Sequence, residues 1–135
     1  MLDLIVEHAQ RDAPNECCGL VSSRDGEAVG VHPAENLAAS PLRFEVDGPV
    51  LFRMLDEIED GGAELGAIYH SHTRSDPVPS QTDVNLARFG DTDLPAFPGT
   101  LYVIVGVKGD EDDVRAWEID AATGTYTQQA LEITG

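Results

Sequence analysis

Lysine is nearly missing from this chain of 135 residues: Lys108 is the only one, and 8 basic residues face 25 acidic ones for a net charge of −17. A surface that negative repels phosphate backbones, so direct nucleic-acid binding is not expected. Long apolar runs are missing too, since no stretch approaches the roughly 18 residues that suggest a membrane span. The opening MLDLIVEHAQ has neither the basic start nor the small-residue cleavage site of a secretory signal. A cytoplasmic protein that does not enter a bilayer is therefore expected. Cysteine is confined to Cys17 and Cys18. As sequence neighbours they cannot readily bridge each other, and no C-x-x-C pair exists to hold a metal. No repeat, low-complexity tract or linker divides the chain, and its length suits a single domain spanning 1–135 that buries its own core.

The same charge bears on setting. Dense carboxylates with almost no lysine suit a cytoplasm of very high salt, where self-repulsion is screened within about 3 Å at 1 M. The competing explanation is an ordinary acidic protein with a basic partner.

Hydrophobic periodicity outlines the fold. Leu2, Ile5, Val6 and Ala9 form a helical stripe that Pro14 follows. ECCGLVSS and EAVGVH read as two strands joined at Asp25-Gly26, a hairpin turn signal. Residues 33–41 read as a surface loop, and Phe44 and Val46 as a short edge strand. Asp47 and Pro49 suit a helix start, Leu51, Met54, Leu55 and Ile58 continue it, and Gly61-Gly62 ends it. Leu65 to His72 is a strand followed by the turn-rich TRSDPVPS, and Asp83 begins a short helix toward Phe89, capped by Gly90. LYVIVGV reads as a central strand and VRAWEID as another, with TGTYTQQALEI ending in a strand or a helix. About three helices against six or more strands make an α/β layered domain with a mixed sheet.

The stretch YHSHTRSDPVPSQTD holds the chemistry. Strand side chains alternate faces, so His70 and His72 project to one side with Ile68 while Tyr69 points opposite. Two imidazoles and the carboxylate of Asp83 match the three-ligand set of a catalytic zinc. Each part also has a plain alternative. His-x-His can be two hydrogen-bonded surface residues, and Ser80-x-x-Asp83 resembles a capping box at a helix start. Glu16 alone reads as an exposed carboxylate before a strand. His8 and His32 lack partners at ligand spacing and read as solvated or structural, and Tyr69 and Trp117 as packing residues. Arg74 and Asp76 lie in the loop over the site, within reach of a substrate or simply exposed.

Taken together, PNECCGL at 14–20, His70-Ser71-His72 and Pro79-Ser80-Gln81-Thr82-Asp83 resemble the JAMM signature of the MPN-domain metalloproteases. NLAASPLRFEVD between them is similar to the family's central segment. Thr73 departs from the pattern, which usually has proline after the second histidine. The resemblance implies a cytidine-deaminase-like sandwich and a zinc isopeptidase of the compact prokaryotic form, with zinc-activated water as nucleophile. It implies that His70, His72 and Asp83 hold zinc, that Glu16 is the general base and that Ser80 is an oxyanion donor. The implied partners are lysine conjugates of a small ubiquitin-like modifier, and the expected state is a monomer or weak homodimer. Two other readings stand beside it: a peptidase that releases cysteine from a sulfur-carrier protein, and a non-catalytic scaffold, against which the complete motif argues. A zinc deaminase is disfavoured because its H-x-E and P-C-x-x-C signature is absent.

Overall fold

The computed structural model describes residues 2–89, 92–108 and 113–130. Its elements in chain order are α1 (Leu2–Asp12), β1 (Cys18–Arg24), β2 (Glu27–Ala34), α2 (Gly48–Asp60), β3 (Glu64–His72), α3 (Gln81–Leu86), β4 (Leu101–Gly106), β5 (Asp113–Ile119) and β6 (Tyr126–Gln129). Six strands form one sheet in the order β2-β1-β3-β4-β5-β6. Every neighbouring pair is antiparallel except β3 and β4, which run parallel. This is the mixed, helix-flanked α/β architecture that the periodicity predicts.

Alternation along the strands splits the core into two layers. Ala67, Tyr69, Val103 and Val105 face α1, where Ile5 and Ala9 meet them, and Cys17 joins that cluster. Leu20, Ile68, Tyr102, Ile104 and Trp117 face the other way, under Ile58 of α2. Fully burying a side chain such as Ile104 is worth about 1.5–3 kcal/mol. Close packing also fixes one glycine, because a Cβ on Gly19 would run into the Tyr69 ring.

The turn signals are realised. Asp25 and Gly26 both have positive φ, at 53° and 82°, as a two-residue hairpin of this twist requires. Asp47 stands at the N-cap of α2 with Pro49 in its first turn, and Gly61 caps its far end. Arg24 donates to the Gly61 and Gly62 carbonyls at 2.8 and 3.2 Å, tying the β1–β2 hairpin to the end of α2.

The structure corrects several boundaries. Phe44 and Val46 lie outside any strand, in an irregular segment. β2 runs on through Pro33 to Ala34, which an edge strand tolerates because proline's missing N–H is not needed there. α3 stops at Leu86 with Ala87 as its cap, short of Phe89, and the expected cap Gly90 lies outside the described residues. The uncertain last element is strand β6, pairing with β5. No described helix is long and apolar enough to cross a membrane.

Candidate metal centre and active site

β3 ends where its parallel neighbour β4 also ends, His72 being in register with Gly106. The carboxyl ends of parallel strands are the common place for a ligand site in open α/β sheets. His70 and His72 leave β3 on the same face, both buried. The chain then turns through a loop that the rest of the domain pins down. Trp117 donates its indole N–H to the Pro77 carbonyl at 2.9 Å. Pro77 also packs close against Gly106, where a Cβ would meet its ring at 2.9 Å.

That loop delivers α3 with both capping-box hydrogen bonds formed: Asp83 N–H donates to Ser80 Oγ at 3.2 Å, and Ser80 N–H donates to Asp83 Oδ2 at 2.9 Å. The same Asp83 carboxylate reaches both histidines, with Oδ1 3.1 Å from His70 Nε2 and Oδ2 3.0 Å from His72 Nε2. The two Nε2 atoms are 3.2 Å apart. Capping and convergence on the histidines are thus one arrangement, and Asp83 serves in both.

The donor set fits a divalent cation. Potential ligand atoms of His70, His72 and Asp83 lie within 4.8 Å of one another. His72 Nδ1 donates to the Asp76 carbonyl at 2.8 Å, so Nε2 is the atom turned into the cluster, a donor to Asp83 when the ring is protonated and a lone pair for a cation when it is neutral. Two imidazoles and one carboxylate match the ligand types and number of a catalytic zinc. Burial is the largest single influence on His72 and pulls it down. Hydrogen bonds to Asp83 and the Asp76 carbonyl, with the charges of Asp83 and Glu16, together leave it above its ordinary value. Burial raises Asp83, but hydrogen bonds from His70 and His72, the charge of His70 and the Ser80 N–H hold it well below the usual carboxylate range.

Glu16 is brought to this cluster from the far end of the sequence. Cys17 N–H donates to Ser71 Oγ at 2.8 Å and Ser71 N–H to the Cys17 carbonyl at 3.2 Å, across a separation of 54 residues. Ser71 stands between the two histidines, so this hook sets the residue after Glu16 beside them. Glu16 is 5% exposed, which corrects the expectation of an exposed carboxylate. Burial pushes it up to about 7, with His72 pulling it down and Asp83 pushing it up. Its Oε1 has no hydrogen-bond partner.

Other expected residues fall outside the cluster. His8 is buried under α1 between the Tyr69 hydroxyl at 2.8 Å and Asp12 at 3.1 Å, and His32 meets Ser22 at 2.9 Å. Arg74 is exposed, and the Asp76 side chain pairs with Lys108 at 2.8 Å. Both cysteines are buried and free, and burial pushes Cys17 up to about 11 and Cys18 up to about 12. Burial of this kind disfavours the reactive thiolate. Thr73 donates to the Pro14 carbonyl at 2.7 Å, a tie between the histidine strand and the Glu16 segment that proline could not make.

Two neighbours lie in the segment 36–47 that resembles the family's central stretch, but the resemblance assigns neither of them a role. Phe44 stacks on His70 with ring centroids 4.6 Å apart at 26° and helps line an apolar cleft of about 200 Å³, with Leu51, Met54 and Phe97 also on its wall. Asn36 donates to the Glu16 carbonyl at 2.9 Å.

Comparison with known proteins identifies the family and the fold. Residues 1–120 match the family model described as prokaryotic homologs of the JAB domain. A desampylase from Haloferax volcanii is 37% identical over 114 residues, covering 79% of this chain and 76% of the relative. A CysO-cysteine peptidase from Mycobacterium tuberculosis is 29% identical over 136 residues, covering 98% and 86%. A solution structure from Desulfitobacterium hafniense superposes with a TM-score of 0.77 at 25% identity, covering 95% of this chain and 84% of the other. A JAB1/MPN domain protein from Archaeoglobus fulgidus shares the fold at TM-score 0.61 and 21% identity, over 99% and 94%. With a family match over residues 1–120, the chain belongs to the prokaryotic JAB domain family, and its peptidase relatives together with the His70, His72 and Asp83 group make it a JAMM-type peptidase.

Proposed function

We propose that this protein is a zinc-dependent isopeptidase that hydrolyses the amide bond between the C-terminal glycine of a small ubiquitin-like modifier and a lysine of its target. The observation that carries this reading is the convergence of His70, His72 and Asp83 beside a buried Glu16. His70, His72 and Asp83 would hold the zinc, which when bound would supply Lewis-acid chemistry to the scissile carbonyl and the attacking water. Glu16, poised near neutrality by burial, takes the proton from the attacking water and returns it to the leaving amine. Ser80 Oγ accepts from Asp83 N–H, which leaves its own proton free to donate to the developing oxyanion. Such a donor contributes about 3 kcal/mol in other enzymes.

A modifier tail ending in glycines is thin enough to lie extended beside the sheet. The apolar cleft along Phe44 suits a hydrophobic side chain upstream of those glycines. Relatives named desampylase and CysO-cysteine peptidase support a peptidase of ubiquitin-like carriers. The second keeps the release of cysteine from a sulfur-carrier protein as an alternative, because it spans nearly the whole chain. The charge of −17 suits a cytoplasm of molar salt.

Substitution separates the roles. Wild type and Glu16→Ala are both expected to bind about one zinc, and Glu16→Ala to lose about 10²–10⁴-fold in kcat, the usual range for a general acid–base group. His70→Ala and Asp83→Ala are expected to lose metal and turnover together. Metal content by mass spectrometry, set beside turnover of a lysine-linked conjugate, checks both statements. A Glu16→Ala protein that cleaves normally would overturn the mechanism.

A further inference from the structure

We infer that Asn36 is a positioning residue for Glu16: its side-chain amide sets where the base stands relative to the metal ligands. This rests on the role given to Glu16 above. A buried carboxylate is usually held by its head, but Glu16 Oε1 has no partner. What locates Glu16 is its backbone, and both polar groups of that backbone go to one segment. Glu16 N–H donates to the Ser40 carbonyl at 2.8 Å, and the Glu16 carbonyl accepts from Asn36 Nδ2 at 2.9 Å.

That segment has no regular secondary structure, so its shape must come from specific bonds. Asn36 supplies several of them, beside the backbone bond from Leu37 N–H to the Glu45 carbonyl at 2.8 Å. Beyond Glu16, Nδ2 donates to the Arg43 carbonyl at 3.1 Å, while Oδ1 accepts from Ala38 N–H at 3.0 Å and Glu45 N–H at 2.9 Å. A primary amide has two N–H donors and an oxygen with two lone pairs, and here every one is used. Serine has too few such groups, and aspartate keeps the acceptors but loses both donors.

The bond to Arg43 also reaches toward the metal ligands, because the next residue is Phe44, stacked on His70. One amide therefore ties the base, 20 residues away in sequence, to the wall that holds a metal ligand. A displacement of about 1 Å in such a constellation can cost about 10²-fold in rate.

The test compares full-length wild type with Asn36→Ala and Asn36→Asp. Asn36→Asp keeps the size of the side chain and both accepted bonds while setting a carboxylate oxygen against the Glu16 and Arg43 carbonyls, and slow exchange at Ile68 is the check that the fold survives. Zinc-loaded proteins are assayed on a ubiquitin-like protein linked through its C-terminal glycine to a lysine peptide, and amide exchange is read separately on metal-free protein. Expected for Asn36→Asp are a kcat about tenfold lower or worse, KM within about twofold and zinc content unchanged. Exchange of the Glu16 amide should quicken about tenfold while that of Ile68 stays slow. Wild-type kcat and wild-type exchange in Asn36→Asp would overturn the inference. So would loss of zinc, or a rise in KM that matches the loss in kcat, since Asn36 would then serve the loop or the metal and not the base. A wild type that leaves the conjugate intact would count against the proposed function alone, and the exchange measurement would still decide the role of Asn36.

Discussion

Two buried carboxylates a short distance from the same histidine are driven in opposite directions. Asp83 is surrounded by hydrogen-bond donors and is held ionised, whereas Glu16 keeps an oxygen with no partner and is pushed up to about 7. Environments that separate two acids in this way suit the ligand role proposed for Asp83 and the base role proposed for Glu16. The consequence for stability has a definite sign. Because the folded value of Glu16 lies above its unfolded 4.5, the native state binds the extra proton, and stability present below pH 4.5 is lost as pH rises toward about 7. The loss approaches about 3 kcal/mol, since a tenfold change in proton affinity is worth about 1.4 kcal/mol. In chelator, Glu16→Gln should therefore gain on the wild type as pH rises through that window, with His72 and Asp83 common to both proteins. Melting temperatures from pH 4.5 to 7.5 test this, and a constant difference between the two would show that Glu16 is not raised by burial.

The loop between β3 and α3 makes the centre possible, and Trp117 on β5 is its anchor. Trp117→Phe keeps most of the packing but removes the N–H bond to Pro77, next to the Asp76 carbonyl that orients His72. Loss of that bond should cost about 1 kcal/mol in stability and, by loosening the support of His72, about tenfold in zinc affinity. Competition with a chromogenic chelator measures the second effect, and unchanged affinity would detach Trp117 from the site. This loop also shows what sequence can disclose. His70 and His72 are legible because strand alternation has a period of two, and Ser80 and Asp83 because a capping box is a local pattern that the structure retains. Glu16 is legible only through resemblance, since its burial depends on the hook from Cys17 to Ser71. Phe44 reads wrongly as a strand residue, and Asn36 is marked only as part of a segment similar to the family's, with no role attached. Their roles come from partners distant in the chain, which periodicity does not register.

For the whole molecule, the charge of −17 is the dominant physical fact outside the site. Self-repulsion among exposed carboxylates weakens as the screening length falls from about 10 Å at 0.1 M salt to about 3 Å at 1 M. The unfolding midpoint should therefore rise between dilute buffer and molar KCl, and no rise would remove the argument that this surface is suited to high salt. The six-stranded sheet sets His70 and His72 at the carboxyl end of its parallel pair, and the Cys17–Ser71 hook and the Asn36 segment hold Glu16 near them. The central claim, that this arrangement cuts after the final glycine of a ubiquitin-like protein, is tested most directly by mass analysis of the ends released from a lysine-linked conjugate with and without chelator. The account predicts a modifier ending in an intact C-terminal glycine and a free lysine amine, both abolished by chelator and restored by zinc. Release that persists in chelator, or a cut elsewhere in the chain, would contradict it.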